Sequence, residues 1–255
     1  MSKRKYTAVR KRDRFNTDDQ MFYTNPSKTI DFTQTQPRLK AKPRTAELVP
    51  KTVNQEKYVI ALQDKSTDIV IGYGPAGTGK TYLAMVAALR EMQSGKCKKI
   101  VLSRPAVGVD DEKHGFLPGD LNAKMEPWTK PLFDVIREFH TAKDIAYMLD
   151  EQIIEIAPLA FCRGRTFKDC WIVLDEAQNA TPNQFKMIMT RIGWGSKLII
   201  TGDIEQTDRR IADNGLLDVI DRLSKKSVPG LVDCKFEAID VQRHKIIKHI
   251  LDLYA

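Results

Sequence analysis

The sequence predicts a three-layer α/β fold, with helices on both faces of a mostly parallel sheet. Short apolar runs recur from Leu48 onward, and stretches of helical character separate them. Uninterrupted β-branched runs are typical of parallel strands buried on both faces, and strand–helix alternation predicts right-handed crossovers. The predicted strands are Ile69–Ile71, Ile100–Leu102, Ile153–Ile156, Trp171–Leu174, Leu198–Ile200 and a less apolar sixth, Lys235–Ile239. The predicted helices include Tyr82–Met92, Pro131–Phe139 and Pro182–Arg191.

Residues 1–48 are predicted to form a basic, poorly ordered N-terminal arm, followed by one domain over residues 49–255. No helical or strand period persists in the arm, where polar residues and proline dominate. Residues 1–51 contain 13 Lys and Arg against five Asp and Glu, a difference of +8 that equals the net charge of the chain. A basic arm of this kind suits a polyanion, nucleic acid above all. The alternative is a solubilising tail without a ligand.

The four cysteines include no C-x-x-C pair, which indicates reduced thiols in a cytoplasmic protein rather than a disulfide or zinc framework. No stretch of about 18 apolar residues occurs, so we expect no membrane span. The basic N-terminus is not followed by an apolar segment, so we expect no secretory signal. The four histidines form no metal-binding pattern and are interpreted as structural or surface residues.

A glycine-rich turn follows the first predicted strand and fits the pattern G-x-x-x-x-G-K-[ST] of a phosphate-binding loop. Its glycines let the backbone N–H groups point inward, and the next helix adds its positive N-terminal end. Lys80 would reach the β- and γ-phosphates of ATP, and the Thr81 hydroxyl would bind Mg²⁺. A chance match is the alternative, disfavoured by the flanking strand and helix. The predicted nucleotide-binding residues are Gly74, Pro75, Ala76, Gly77, Thr78, Gly79, Lys80, Thr81 and Tyr82.

Two acids, Asp175 and Glu176, directly follow the apolar strand Trp171–Leu174. Asp175 would lie at the carboxyl end of this strand and hold Mg²⁺, directly or through water. Glu176 would polarise the attacking water as general base, which favours hydrolysis of ATP over transfer to a second metabolite. The alternative is a pair of solvated acids at a strand–loop junction.

Three further polar residues are candidates for the same site. Gln206 follows the strand Leu198–Ile200 and would contact the γ-phosphate or the attacking water. The amide of Gln55 could recognise an adenine edge. Arg243 could neutralise charge on the γ-phosphate, in cis or from a neighbouring subunit. The alternative for Gln206 is an ordinary Gly-Asp turn. The alternative for Gln55 is a helix cap, and that for Arg243 is a surface ion pair.

These residues and their surroundings resemble the PhoH family of bacterial and phage ATPases over roughly Thr52 to Tyr254. The stretches that carry the resemblance are GPAGTGKTYLA, SRPAV, HGFLPGDL, IIEIAPLAFCRGRTF, IVLDEAQNATPNQFKMIMTRIG, SKLIITGDIEQTD and VQRHKIIKHILDLY. The resemblance implies a single RecA-like, ASCE-type P-loop domain similar to a superfamily 1 helicase core. It further implies ATP hydrolysis, hexameric rings, RNA handling and a link to phosphate starvation.

The resemblance also assigns roles to single positions. It implies phosphate and metal binding by Gly77, Gly79, Lys80 and Thr81. It also implies a DE box of Asp175 and Glu176, with Lys80 and Glu176 among the catalytic residues and Asp175 on the metal. Gln206 matches the glutamine of helicase motif III, and Arg243 matches the arginine of the family's last motif. Ser103-Arg104-Pro105 matches helicase motif Ia, where nucleic acid contacts are usual. The sequence departs from the family at GVDDEKHGF and RRIADNGL, and we expect no appended PIN or KH-like domain.

Two functions therefore remain open. The first is an ATP-driven motor or remodeller of RNA or single-stranded DNA, working as a ring. The second is an ATP-dependent protein-interaction switch without a nucleic acid substrate. A small-molecule kinase fits poorly, because no lid for a second substrate is evident. The sequence leaves open RNA against DNA, unwinding against binding, and ATP against GTP.

Overall fold

The structure is a computed structural model, and it describes residues 44–105, 121–207 and 214–242 together with residue 246. Within these residues, six strands form one parallel sheet in the order β3-β2-β4-β5-β1-β6. The strands are β1 Ile69–Tyr73, β2 Lys99–Ser103, β3 Ile154–Ile156, β4 Cys170–Leu174, β5 Lys197–Gly202 and β6 Leu231–Lys235. The helices are α1 Val53–Gln63, α2 Lys80–Gln93, α3 Leu121–Phe139, α4 Ala142–Asp150, α5 Pro182–Met189 and α6 Gly215–Lys225. The predicted three-layer α/β fold of a P-loop NTPase is confirmed.

The predicted position of the sixth strand is wrong. The strand ends at Lys235, where the prediction began it, and the residues Ala238–Asp240 form a short 3₁₀ helix instead. β6 pairs only with β1 among the described strands, so it lies at an edge of the sheet. An edge strand needs fewer apolar side chains than a central one, and Val232 is indeed exposed. The apolar pattern that located the central strands is therefore weak here.

Helices cover both faces of the sheet because successive strand residues point to opposite sides. Val70 belongs to a core that includes α1 and α2, and its neighbour Ile71 belongs to the core that includes α5 and α6. The helix α2 lies so deep in the first core that residues 83–89 are all at most 3% exposed. The helix that follows the phosphate loop is thereby fixed against the sheet.

The strand order brings three predicted site segments to one edge of the sheet. β5 lies between β1 and β4, with Ile71 opposite Ile200 and Val173 opposite Ile199. All three strands run in the same direction, so their carboxyl ends meet at the same edge. The phosphate loop, the acid pair and the Gly-Asp turn after β5 are consequently neighbours, although they are far apart in sequence.

A buried lysine, Lys197, holds the end of α1 on the sheet. Its ammonium group donates to the carbonyl oxygens of Leu62 at 2.8 Å, Asp64 at 2.7 Å and Ala61 at 3.4 Å. These oxygens belong to the last turn of the helix, where carbonyl groups have no partner within the helix. Lys197 thus acts as a cap supplied by a distant strand.

Replacing Lys197 with Met should lower the free energy of unfolding by about 1–3 kcal/mol, because buried carbonyl groups would lose their donor. Thermal or urea unfolding measures the change. Lys168→Met is the matched control, because Lys168 is exposed and its replacement should change stability by less than about 0.5 kcal/mol. Equal effects of the two changes would show that the contacts of Lys197 do not stabilise α1.

The described residues begin inside the predicted arm. Ala46 is 1% exposed, and its N–H group donates to Oε1 of Gln93 at 3.2 Å. The last residues of the predicted arm therefore contact the domain at the end of α2. Residues 1–43 lie outside the described residues, so the arm stays a prediction. None of the described helices is both long and apolar enough to cross a membrane.

Candidate nucleotide-binding site

A cleft at the carboxyl edge of the sheet collects most of the predicted site residues. Its walls come from the phosphate loop, from the end of β4 and from the end of β5. The predicted residues that line it are Ala76, Gly77, Gly79, Lys80, Thr81, Tyr82, Asp175, Glu176 and Gln206. Gly202 and Asp203 complete the lining.

The phosphate loop has the backbone conformation that its glycines were expected to permit. Gly74, Gly77 and Gly79 have φ values of 135°, 81° and 83°, in the region that favours glycine. Inside the loop, the hydroxyl group of the fully buried Thr78 donates to the carbonyl oxygen of Pro75 at 3.0 Å. The loop is therefore a tight, internally bonded turn in front of α2, the arrangement that binds anions at a helix N-terminus.

Lys80 reaches into the centre of this turn. Its ammonium group donates to the carbonyl oxygens of Gly74 and Pro75, both at 2.7 Å, and to Oγ1 of Thr78 at 3.2 Å. The side chain is 7% exposed, so its charge acts where water is scarce. Phosphate oxygens are stronger acceptors than carbonyl groups for a charged donor. The turn and its ammonium group therefore fit a polyphosphate.

Thr81 and Asp175 meet although 94 positions separate them. The hydroxyl group of Thr81 donates to Oδ1 of Asp175 at 2.8 Å, and that of Thr201 donates to the same oxygen at 2.7 Å. Hydroxyl and carboxylate oxygens are suitable Mg²⁺ ligands. Among the described residues, no group of three or more His, Cys, Asp or Glu could hold a metal by itself. A Mg²⁺ ion here would take further ligands from phosphate and water, as this ion commonly does.

Glu176 is held by two contacts that the sequence analysis did not predict. Its Oε1 accepts from Nη2 of Arg104 at 2.9 Å, and its Oε2 accepts from Nε2 of Gln178 at 2.6 Å. Nη2 of Arg104 also lies 3.1 Å from Oδ2 of Asp175. Arg104 was singled out only for nucleic acid contact, and Gln178 was missed. The burial of Gln178 is visible only in the structure, so the sequence offers no signal for it beyond its position two residues after Glu176.

Gln178 connects the acid pair to the turn after β5. Its Oε1 accepts from the N–H group of Asp203 at 3.1 Å, and its Nε2 also donates to the carbonyl oxygen of Gln206 at 3.2 Å. Gln178 is 1% exposed, whereas Gln206 is exposed at the cleft. The structure therefore places Gln206 in the lining of the same cleft as Glu176, and its contact with phosphate or water stays a prediction.

Gln55 lies behind the phosphate loop rather than in the cleft lining. Its Nε2 donates to the carbonyl oxygen of Thr78 at 2.9 Å, and its Oε1 accepts from the N–H group of Lys51 at 2.7 Å. The side chain is 4% exposed. In the structure this amide supports the loop backbone, and its proposed contact with adenine stays a prediction.

The segment before Arg243 reaches the phosphate loop, although Arg243 itself lies outside the described residues. The N–H group of Gln242 donates to the carbonyl oxygen of Gly77 at 2.8 Å. Oδ2 of the buried Asp240 accepts from Nδ2 of Asn54 at 2.8 Å. Burial raises the pKa of the Asp240 carboxyl, but its hydrogen bonds outweigh burial and bring the pKa below its usual value. The chain is thus fastened to the loop just before Arg243.

Comparisons with known proteins identify the relatives of the chain. A family model described as PhoH-like protein matches residues 47–255. The chain is 46% identical over 205 residues to a PhoH-like protein of Bacillus subtilis (strain 168), covering 80% of this chain and 63% of that protein. It is 43% identical over 215 residues to a PhoH-like protein of Synechocystis sp. (strain ATCC 27184 / PCC 6803 / Kazusa). This match covers 84% of this chain and 64% of that protein.

A solved structure, the Sulfolobus solfataricus SWI2/SNF2 ATPase core in complex with dsDNA, is distantly similar to this chain, with a TM-score of 0.40 and 15% sequence identity. The match covers 69% of this chain and 36% of that one. The chain spans somewhat less than two thirds of the length of the two PhoH-like relatives. The family match covers four fifths of the chain, and the relatives are well above 30% identical. The chain therefore belongs to the PhoH-like protein family.

Proposed function

We propose that the chain binds ATP with Mg²⁺, hydrolyses the ATP, and couples hydrolysis to binding or remodelling of RNA or another single-stranded nucleic acid. The family and the P-loop fold support an ATPase role. The observation that carries the proposal is the contact of Thr81 with Asp175 at 2.8 Å, with Glu176 next to it at the same cleft. A phosphate loop, a metal-binding pair and a general base then share one site.

Each group in the cleft has a defined task in this proposal. The loop N–H groups and the N-terminal end of α2 bind phosphate oxygens, and Lys80 neutralises charge on the terminal phosphates. Thr81 and Asp175 would hold Mg²⁺, which when bound neutralises phosphate charge. A carboxylate oxygen of Glu176 accepts a proton from the attacking water. Glu176 suits this task because its side chain is 46% exposed and therefore accessible to water.

The nucleic acid part of the proposal is supported by the charge of the arm. The excess of +8 over residues 1–51 attracts phosphate backbones, and such attraction weakens as salt rises. A ring of copies, implied by the family resemblance, remains part of the proposal. The bond from Gln242 to Gly77 within one chain supports action of Arg243 in cis.

The proposal is tested by measuring phosphate release by the full chain at low salt, with and without single-stranded RNA and single-stranded DNA. We expect turnover without nucleic acid, stimulation by at least one of the two strands, and no turnover in Lys80→Ala. In a second full-length variant, Gln replaces the seven basic residues from Lys3 to Arg14, both included. This variant should keep its basal turnover and lose affinity for single-stranded nucleic acid.

The alternative, an ATP-dependent protein switch, predicts a different outcome. Turnover would then be unaffected by either strand, and neither strand would bind at low salt. A protein partner captured by the wild type would be lost with Lys80→Ala. Absence of ATP turnover under all conditions would contradict both functions.

A further inference from the structure

The Glu176 carboxylate is fixed from both sides. Glu176 follows β4 with φ at 53°, a left-handed conformation that a non-glycine residue adopts at a cost of about 1–3 kcal/mol. Arg104 contacts Oε1 at 2.9 Å, and Gln178 contacts Oε2 at 2.6 Å. One partner is a cation, and the other is a neutral amide.

The position of Arg104 is set by the backbone. β2 pairs with β4 so that Ser103 lies opposite Leu174, and the N–H group of Asp175 donates to the carbonyl oxygen of Ser103 at 3.0 Å. The carbonyl oxygen of Arg104 accepts from the N–H group of Leu159 at 3.1 Å. Arg104 is therefore anchored on both sides, and the sheet register places it beside the acid pair.

A single guanidinium nitrogen serves both acids. Nη2 of Arg104 lies 2.9 Å from Oε1 of Glu176 and 3.1 Å from Oδ2 of Asp175. The Arg104 side chain is 12% exposed and the Asp175 side chain is 6% exposed, so these attractions are screened less than at the surface. Without the cation, the two neighbouring carboxylates would repel each other, and the side chain of Glu176 would turn away from Asp175.

We propose that Arg104 is a positioning residue, whose guanidinium group holds the carboxylate of Glu176 in line with Asp175 so that it can accept a proton from water in the cleft. This inference rests on the proposed ATP hydrolysis. Gln178 supports the other carboxylate oxygen but brings no charge, so among the described residues the ionic contact of Glu176 comes from Arg104. A misplacement of about 1 Å in a catalytic group can reduce a rate by about 100-fold.

The test compares four forms of the full chain: the wild type, Arg104→Met, Glu176→Gln and the double variant. Arg104→Met should lower kcat by about 10- to 100-fold and change KM for ATP by less than about threefold, since orientation rather than binding is lost. In the double variant, kcat should equal that of Glu176→Gln, because Arg104 acts through Glu176. Arg104→Lys should recover part of kcat, because its ammonium group can replace the charge but not the geometry of the guanidinium group.

Arg165→Met is the matched control. Arg165 forms a two-contact ion pair with Glu155, including Nη2 to Oε2 at 3.0 Å, away from the cleft. Its loss should lower stability and leave kcat unchanged. If Arg104→Met and Glu176→Gln reduce kcat independently, so that their effects multiply, the inference is wrong. A rise in kcat for Arg104→Met would also overturn it, because Arg104 would then restrain the reaction.

Thermal unfolding of the same four forms separates this inference from the proposed function. If the ion pair holds Glu176, the shifts in Tm for Arg104→Met and Glu176→Gln should not add in the double variant. Non-additive shifts in a chain without ATP turnover would refute the function and leave the Arg104 contact established. Additive shifts in a chain with normal turnover would refute the Arg104 inference and leave the function in place.

Discussion

Replacing Glu176 with Gln is expected to reduce ATP turnover by about 10²- to 10⁴-fold, the usual contribution of a general base. The replacement preserves shape but removes the group that accepts the proton. Lys80 and the loop backbone stay, so nucleotide binding should persist. Single-turnover phosphate release measures the chemical step, and binding of a fluorescent ATP analogue measures affinity.

The control for this change is Glu205→Gln. Glu205 is an exposed acid at the same edge of the sheet, outside the cleft lining. It should tolerate the same change with turnover altered by less than about twofold, as is usual for surface positions. Turnover in Glu176→Gln close to that of the wild type would show that another group activates water.

Replacing Gly74 with Ala is expected to destabilise the chain and abolish nucleotide binding. A Cβ atom at this position would lie 2.3 Å from the carbonyl oxygen of Phe236, and φ is 135°, where L side chains are strained. Strain of about 1–3 kcal/mol and overpacking of about 1–3 kcal/mol together predict a loss of about 2–6 kcal/mol. The loop must move to relieve the contact, so its N–H groups would no longer point to one anion. Unfolding by urea and binding of the ATP analogue measure both effects.

Gly95→Ala separates the two causes. Gly95 also has a positive φ, 74°, but a Cβ atom there would meet no atom within 4 Å. The free energy of unfolding of Gly95→Ala should fall by about 1–2 kcal/mol, the cost of a positive φ for alanine. The variant should keep full nucleotide binding. If Gly74→Ala proved no more harmful than Gly95→Ala, the close approach of Phe236 would not constrain the loop.

The sequence predicted the parts of the site that depend on local patterns. The loop from Gly74 to Thr81 and the acids after β4 are short motifs next to apolar strands, and parallel strands bring their carboxyl ends to one edge. The other five strands were found for the same reason. β6 was misplaced because this edge strand has little apolar signal of its own.

The contacts that were missed depend on strand order. Arg104 meets Asp175 and Glu176 only because β2 pairs with β4, and no pattern in one sequence reveals that pairing. Gln178 and Lys197 are polar residues in buried positions, and their partners come from turns and a helix distant in sequence. For Gln55 the hydrogen-bonding capacity was recognised, but the structure uses it on the loop backbone.

The insertion of β5 between β1 and β4 has a consequence for synthesis of the chain. The carboxylate of Asp175 is bonded by the hydroxyl groups of both Thr81 and Thr201, so the site unites residues made early with residues made late. Such distant pairings form slowly, and folding during translation proceeds from the N-terminal side. β1 and β4 do not pair with each other, and β5, the strand that pairs with both, is translated last of the three. If the chain binds a nucleotide as proposed, we expect it to stabilise the nascent chain only after residue 202 has left the ribosome.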